Sequence, residues 1–252
     1  LSSRWLPQGW FDALRQLVLF GGAYYAYRIV RGFADGQTAI AFEHARTLVH
    51  AERSVGLFFE PGLQNLLLGQ TWIRDGANFL YVNSHFIITT TFLLWLYLAR
   101  NHAFYYVRNM FMIAMGLALV MYAVYPTAPP RLLPEWGFTD TVADAVGPAA
   151  ENTAAVLYNP YAAVPSMHVA FALMIAIPAM KLVTSRALRF AWSLYPALVT
   201  FVVVVTANHF WLDAALGAAV AGVAAVTAHA ALARARPEAW AWRSAVPAKA
   251  AA

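Results

Sequence analysis

The stretch LRFAWSLYPALVTFVVVVTANHFWLDAALGAAVAGVAAVTAHAAL, residues 188–232, decides the fold. It holds two apolar runs, Leu188–Ala207 and Trp211–Leu232. Each has the ~20 residues that a helix needs to cross the hydrocarbon core of a bilayer. Between them, a polar island marks where one span turns into the next. Working outward, the same criterion gives spans at Phe79–Leu98, Val107–Tyr125 and Met167–Val183. A sixth, Leu14–Val30, is interrupted by Arg15, Gln16 and Arg28; long side chains near helix ends snorkel to the interface. The expected fold is therefore all-α, a polytopic membrane helix bundle of about six transmembrane helices. Residues 1–232 read as a single membrane-embedded domain, followed by a flexible Ala-rich tail over 233–252.

Composition agrees with this reading. Of the 252 residues, 61% are hydrophobic and 12% charged, against roughly 45–50% and about 25% in a soluble domain. So few charges cannot coat a water-soluble globule of this size, which excludes a soluble enzyme, and the hydrophobicity excludes a disordered chain. Cysteine is absent, which removes disulfides, thiolate metal sites and thiol nucleophiles. The net charge of +5 would suggest nucleic acid if the basic residues were clustered on a soluble domain. Here they sit in the gaps between apolar runs, so the expected partner is the lipid bilayer and not nucleic acid. Between the first two spans, Asp35–Gly69 interleaves Ile40, Phe42, Leu48, Val55, Leu57 and Phe58 with Glu43, Arg46, Glu52 and Arg53. That pattern predicts amphipathic helices lying on the membrane surface.

Lys/Arg asymmetry sets the expected orientation. With the N-terminus cytoplasmic, eleven of the 17 basic residues lie inside and six outside. Both termini are then cytoplasmic. Three polar islands interrupt the apolar background: Tyr125–Arg131, Val164–His168 and Ala207–Asp213. The third span ends outside, the fourth begins outside and the fifth returns outside. All three islands thus share the extracytoplasmic face.

Read as chemistry, the islands fit phosphoryl transfer. His209 and Asp213, four apart, share a helix face; the pair has the base-and-orienter logic of a nucleophilic site. The carboxylate would accept the imidazole Nδ1–H and leave Nε2 free to attack phosphorus. His168 is a second imidazole, suited to protonate the leaving oxygen and then to activate water or an acceptor alcohol. The start of the fourth span offers the N–H groups of Ser166 and Met167 to phosphate oxygens. Arg131 is placed to grip two of those oxygens. No acidic cluster suited to a metal accompanies the islands, so the expected mechanism is metal-independent and without a cofactor.

The three islands resemble the type 2 phosphatidic acid phosphatase superfamily, whose signature runs Lys-x6-Arg-Pro, Pro-Ser-Gly-His and Ser-Arg-x5-His-x3-Asp. By position, Arg131 falls on the first motif, Pro165, Ser166 and His168 on the second, and His209 and Asp213 on the third. The resemblance implies a six-helix membrane core, a phosphohistidine intermediate and a lipid phosphate or pyrophosphate substrate; a phospholipid is the further substrate expected as partner. The chain also departs from that signature. Val124 and Val203 stand where the motif Lys and Arg would be, Leu132 follows Arg131, and Met167 replaces Gly. Ala-Pro-Pro-Arg, Pro-Ser-Met-His and Asn-His-x3-Asp look instead like the branch that includes inositol phosphorylceramide synthases and their bacterial relatives. The segments from Glu52 to Glu60 and from Tyr81 to Phe86 resemble that branch as well. It implies a lipid phosphotransferase with an alcohol or polyol acceptor; a lipid phosphate or polyprenyl pyrophosphate phosphatase is the alternative.

With two cations missing, His85, Asn208 and Arg74 are candidates to meet the phosphate. His85 lies about 10 Å down its span at ~1.5 Å per residue, where it either faces the site or is a core histidine. Two non-enzymatic readings remain at this stage. His85, His168, His209 and His229 lie in or near spans and suggest haem, although their depths match poorly. The islands also suit a transporter that binds an anion.

Overall fold

The architecture follows from a computed structural model that describes residues 6–34, 37–142 and 161–232. Nine helices run along them: α1 (Gly9–Ala34), α2 (Thr38–Ser54), α3 (Glu60–Leu68), α4 (Thr71–Phe79), α5 (His85–Ala99), α6 (Asn101–Val124), α7 (Met167–Leu182), α8 (Arg186–Val205) and α9 (Trp211–Thr227). The chain is an all-helical polytopic bundle, as expected. Among the described residues, four helical stretches are long and apolar enough to cross a membrane: Thr71–Ala99, Asn101–Val124, Arg186–Val205 and Trp211–Ala231. α7 is apolar but has only 16 residues. Large apolar side chains such as Phe86, Leu94, Val120, Phe190, Leu194 and Val226 face outward, the inverse of a soluble protein and the surface that lipid would cover.

The expected span Leu14–Val30 falls within α1, which is not among these four, and two others begin well before their expected starts. The one expected at Phe79–Leu98 begins at Thr71, because a π-helical turn at Leu80–Ser84 joins α4 to α5 without a break. The one expected from Val107 begins at Asn101. Arg108 therefore lies about two turns into α6 rather than at its start. Its guanidinium donates to Gln16 Oε1 of α1 at 2.9 Å and to Asn109 Oδ1 at 2.7 Å, which satisfies a buried cation that would otherwise be costly. The tail at 233–252, Asp35, and Arg4, Arg234, Arg236, Arg243 and Lys249 of the charge asymmetry lie outside the described residues.

α7 sits at the centre and packs against α5, α6, α8 and α9. Ala170, Ala172, Ala176 and Ala179 of α7 and Ala214, Gly217, Ala221 and Ala224 of α9 are buried. Small residues of this kind let two membrane helices approach closely. At one end of the bundle a second cluster forms. Ala45, Leu48 and Val49 of α2 pack on Ala128, Leu133, Phe138, Val164, Ala207 and Phe210. The expected amphipathic segment is thus helical, and its apolar face covers the connections that carry the three islands.

Candidate active site

Backbone hydrogen bonds knit the three islands together. Thr127 N–H donates to the Tyr161 carbonyl at 2.8 Å and Ala163 N–H to the Thr127 carbonyl at 3.2 Å, joining the first island to the approach of the second. Arg131 N–H donates to Ala207 at 2.7 Å, joining the first to the third, and Ser166 N–H donates to Asp213 at 3.0 Å, joining the second to the third. Ala207 adopts φ +52°, a left-handed conformation uncommon outside glycine. It ends α8 sharply, so that Asn208 and His209 N–H both turn back to the Val203 carbonyl.

His209 is buried in this turn. Its Nδ1 lies 2.9 Å from the Ala163 carbonyl and 3.5 Å from Asp213 Oδ2. The Ala163 carbonyl, rather than the expected carboxylate, is the nearer acceptor. Asp213 Oδ2 takes the Phe210 N–H at 2.9 Å instead. The consequence for the ring is the one expected from the pair: a carbonyl can only accept, so Nδ1 carries the proton and Nε2 keeps its lone pair. Burial pushes His209 down to about 4, with the Arg131 cation acting in the same direction and the bond to Ala163 opposing both. The imidazole is neutral at physiological pH.

His168, in the first turn of α7, lies with its ring centroid 5.6 Å from that of His209, 4.4 Å from that of His85 and 4.8 Å from that of Tyr81. His85 stacks on Phe171 at 5.3 Å, and its Nδ1 has no hydrogen-bond partner. Three histidines expected from separate parts of the sequence therefore form one continuous row. His85 and His168 touch a cavity of about 80 Å³, otherwise lined mainly by apolar residues of the π turn before α5 and of α8. Rings this close leave no room for a macrocycle between them, and His229 lies in the π turn after α9. The haem reading finds no pair of facing ligands here.

Ser166 precedes α7 but makes no side-chain cap; its Oγ is buried and unpartnered. Its N–H, expected to face phosphate, is engaged by Asp213. The Met167 N–H has no acceptor among the described residues. Arg131 donates from Nε to Asn208 Oδ1 at 3.0 Å and from Nη1 to Asp140 Oδ2 at 2.7 Å. The Asn208 amide donates in turn to Thr206 Oγ1 at 2.9 Å. Asn208 thus orients Arg131. Arg74 is not part of this group and pairs with its neighbour Asp75 at 3.0 Å.

The sequence reading missed the Ala163 carbonyl, whose residue type carries no signal, and Asp140, which lies nine residues beyond Arg131. Asp140 is held in place by its flanks. Gln64 exchanges two hydrogen bonds with Thr139, and Asn78 two with Thr141. No group of three or more His, Asp or Glu side chains suited to a metal ion occurs among the described residues.

The second and third islands thus bring His168 and His209 together, with Arg131 close to His209. Consistent with this, a family model described as the PAP2 superfamily matches residues 46–227, and the chain belongs to that superfamily. Its members are membrane phosphatases acting on phosphate esters, so the protein is an enzyme of that general kind. No curated protein and no solved structure matches the chain.

Proposed function

We propose that the protein cleaves or transfers the phosphate or phospho-headgroup of a membrane lipid through a phosphohistidine at His209, as a lipid phosphotransferase. The observation that carries this reading is the fixed tautomer of His209, which presents a neutral Nε2 lone pair beside a second imidazole. Nε2 attacks phosphorus, the bond from phosphorus to the leaving oxygen breaks, and His168 hands that oxygen a proton. The bound phosphate is the anion that favours a protonated His168 beforehand. The phosphoimidazole is cationic, and the Asp213 carboxylate 3.5 Å from Nδ1 offsets that charge. His168 then takes a proton from water or an acceptor alcohol, whose oxygen displaces the Nε2 of His209. Arg131, the Ser166 hydroxyl and the Met167 N–H meet the phosphoryl oxygens, with His85 behind His168.

Because His209 titrates near 4, its loss by protonation lies far below the ordinary histidine range. Neutral imidazole is the reactive form. The acid limb of kcat/KM attributable to His209 is therefore expected well below pH 6, with activity rising as pH increases through about 4 to 5. A rate profile measured from pH 4 to 8 with a charge-invariant lipid diester checks this.

Arg131 acts on His209 and is itself paired with Asp140, a balance that suits a singly charged phosphodiester better than a doubly charged monoester. A panel of phosphatidic acid, a polyprenyl pyrophosphate and phosphatidylinositol with an added polyol, assayed in detergent, tests the substrate class. Diester cleavage or headgroup exchange at least as fast as phosphatidic acid hydrolysis is expected, with weak inhibition by vanadate. Brisk monoester hydrolysis with strong vanadate inhibition assigns a lipid phosphatase instead, and binding without turnover assigns a transporter.

The charge asymmetry supports cytoplasmic termini and a site on the extracytoplasmic face, within one membrane-embedded unit over 1–232. Thr139 and Ser185 are both exposed, and the absence of native cysteine makes single-cysteine labelling clean. Thr139→Cys is expected to react with an impermeant thiol reagent from outside, and Ser185→Cys only after permeabilisation. The reverse pattern would invert the orientation.

A further inference from the structure

The phosphoryl-transfer reading leaves two fully buried carboxyl groups unused. Glu52, near the end of α2, is 1% exposed, and Glu60, the first residue of α3, is 0% exposed. Both reach the start of α9. Glu60 Oε1 accepts the Trp211 N–H at 3.2 Å, and Glu52 Oε1 accepts the Leu212 N–H at 3.1 Å. Asp213 Oδ2 takes the Phe210 N–H just before them. Three consecutive donors at one helix start, which a helix leaves unsatisfied by itself, are each held by a different carboxyl. Two of those carboxyls come from some 150 residues earlier in the chain. They grip Trp211 and Leu212, the two residues before Asp213.

The two glutamates are not equivalent. Glu60 Oε2 also accepts the Phe59 N–H at 2.9 Å, so backbone donors engage both of its oxygens. Glu52 Oε2 is buried with no hydrogen-bond partner. Because the two carboxyls accept from the adjacent N–H groups of Trp211 and Leu212 and are both buried, two negative charges there would repel each other in a low-dielectric setting. A proton on one of them removes that cost, and the oxygen free of backbone donors is the one to carry it.

We propose that Glu52 and Glu60 are positioning residues for His209: a carboxylic acid and a carboxylate sharing one proton, which clamp the first turn of α9 and so set where His209 and Asp213 stand. The groups facing Glu52 are Glu60 from α3 and Asp213 from α9, both acidic. Burial first, and then the neighbouring Glu60 carboxyl, hold Glu52 up to about 9, against the opposing Leu212 N–H. When that proton leaves, two buried negative charges face each other beside Asp213 and the clamp loosens. The kinetic consequence rests on the His209 reading; the structural one does not.

The test uses the full chain in detergent, with dioctanoyl phosphatidic acid as the probe substrate and thermal unfolding as a second readout. Glu52→Ala is expected to lower kcat by ~10-fold or more, the equivalent of about 1.4 kcal/mol. Glu52→Gln is expected to restore most of it, because its carbonyl accepts from Leu212 and its amide N–H₂ donates to Glu60. Glu60→Gln is expected to resemble Glu52→Ala, because an N–H₂ then opposes a backbone N–H. Wild type should lose kcat as pH rises through about 9, and Glu52→Gln should lack that fall. A raised acid holds its extra proton in the folded state, so stability declines as pH rises from the unfolded value toward the folded one. The melting temperature of Glu52→Gln minus that of wild type should therefore increase from pH 6 to pH 9. Equal effects of the two glutamine variants, an alkaline fall retained in Glu52→Gln, or a melting difference flat with pH would overturn the proposal. If phosphatidic acid is not turned over, the melting series still decides the shared proton, and the phosphoryl-transfer reading fails separately.

Discussion

His209→Gln is expected to abolish turnover, with a loss on the order of 10⁴-fold or more, as for removal of a nucleophile in other covalent catalysts. The reason is specific to the ring. A glutamine amide reaches the same depth and still has an N–H to offer the Ala163 carbonyl, so the turn that ends α8 keeps its hydrogen bond. What it lacks is a nucleophilic nitrogen lone pair at the position of Nε2. The fold should be retained, seen as an unchanged detergent-solubilised monodisperse species and a melting temperature within a few degrees. Retention of more than a few per cent of activity would remove His209 from the chemistry.

Gly217→Ala is the second large effect, and it acts without touching a reacting group. Gly217 lies one turn beyond Asp213 on α9, against the backbone of Ser166. A Cβ there would overlap the Ser166 carbonyl oxygen, far inside van der Waals contact, with the Ser166 carbonyl carbon at 3.1 Å. The obstacle is backbone, so no side-chain rotation relieves it. Ser166 N–H is bonded to Asp213, and the start of α7 carries His168. Displacing that start therefore separates His168 from His209. A shift of ~1 Å is worth about 10²-fold in rate, and overpacking costs about 1–3 kcal/mol. Gly222 on the same helix has nothing within 4 Å of a built Cβ. Gly222→Ala should keep activity and gain up to ~1 kcal/mol from helix propensity. Paired kcat and thermal-unfolding measurements on the two variants check the contrast; equal activity would show that the close approach is not required.

The helices and the three islands were legible because the signals are local. Apolar runs of span length announce membrane helices, and His, Arg, Asp and Pro stand out against them. The choice of acceptor for His209 was not legible. Spacing of four places Asp213 near the ring, but the nearer acceptor is a backbone carbonyl that arrives from residue 163. Any residue type would have offered the same oxygen. Ser166 shows the same limit, since its N–H is engaged by a carbonyl of α9 that only the helix packing brings close. The start of α6 was placed too late because Asn101, His102 and Arg108 make its first two turns polar, and only the packing of α1 shows Gln16 satisfying Arg108. Glu52 reads as part of the polar face of a surface helix. Its burial depends on α2 turning its apolar side onto the connections, which periodicity alone does not reveal.

The central claim is that phosphorus passes through His209. The most direct measurement is a rapid-quench experiment with the fastest lipid of the panel, labelled at phosphorus, analysed for label on the protein. The account predicts an acid-labile, alkali-stable phosphopeptide containing His209, formed at least as fast as product and missing from His209→Gln. Product formation with no label on the wild-type protein, or label on a different residue, would contradict it.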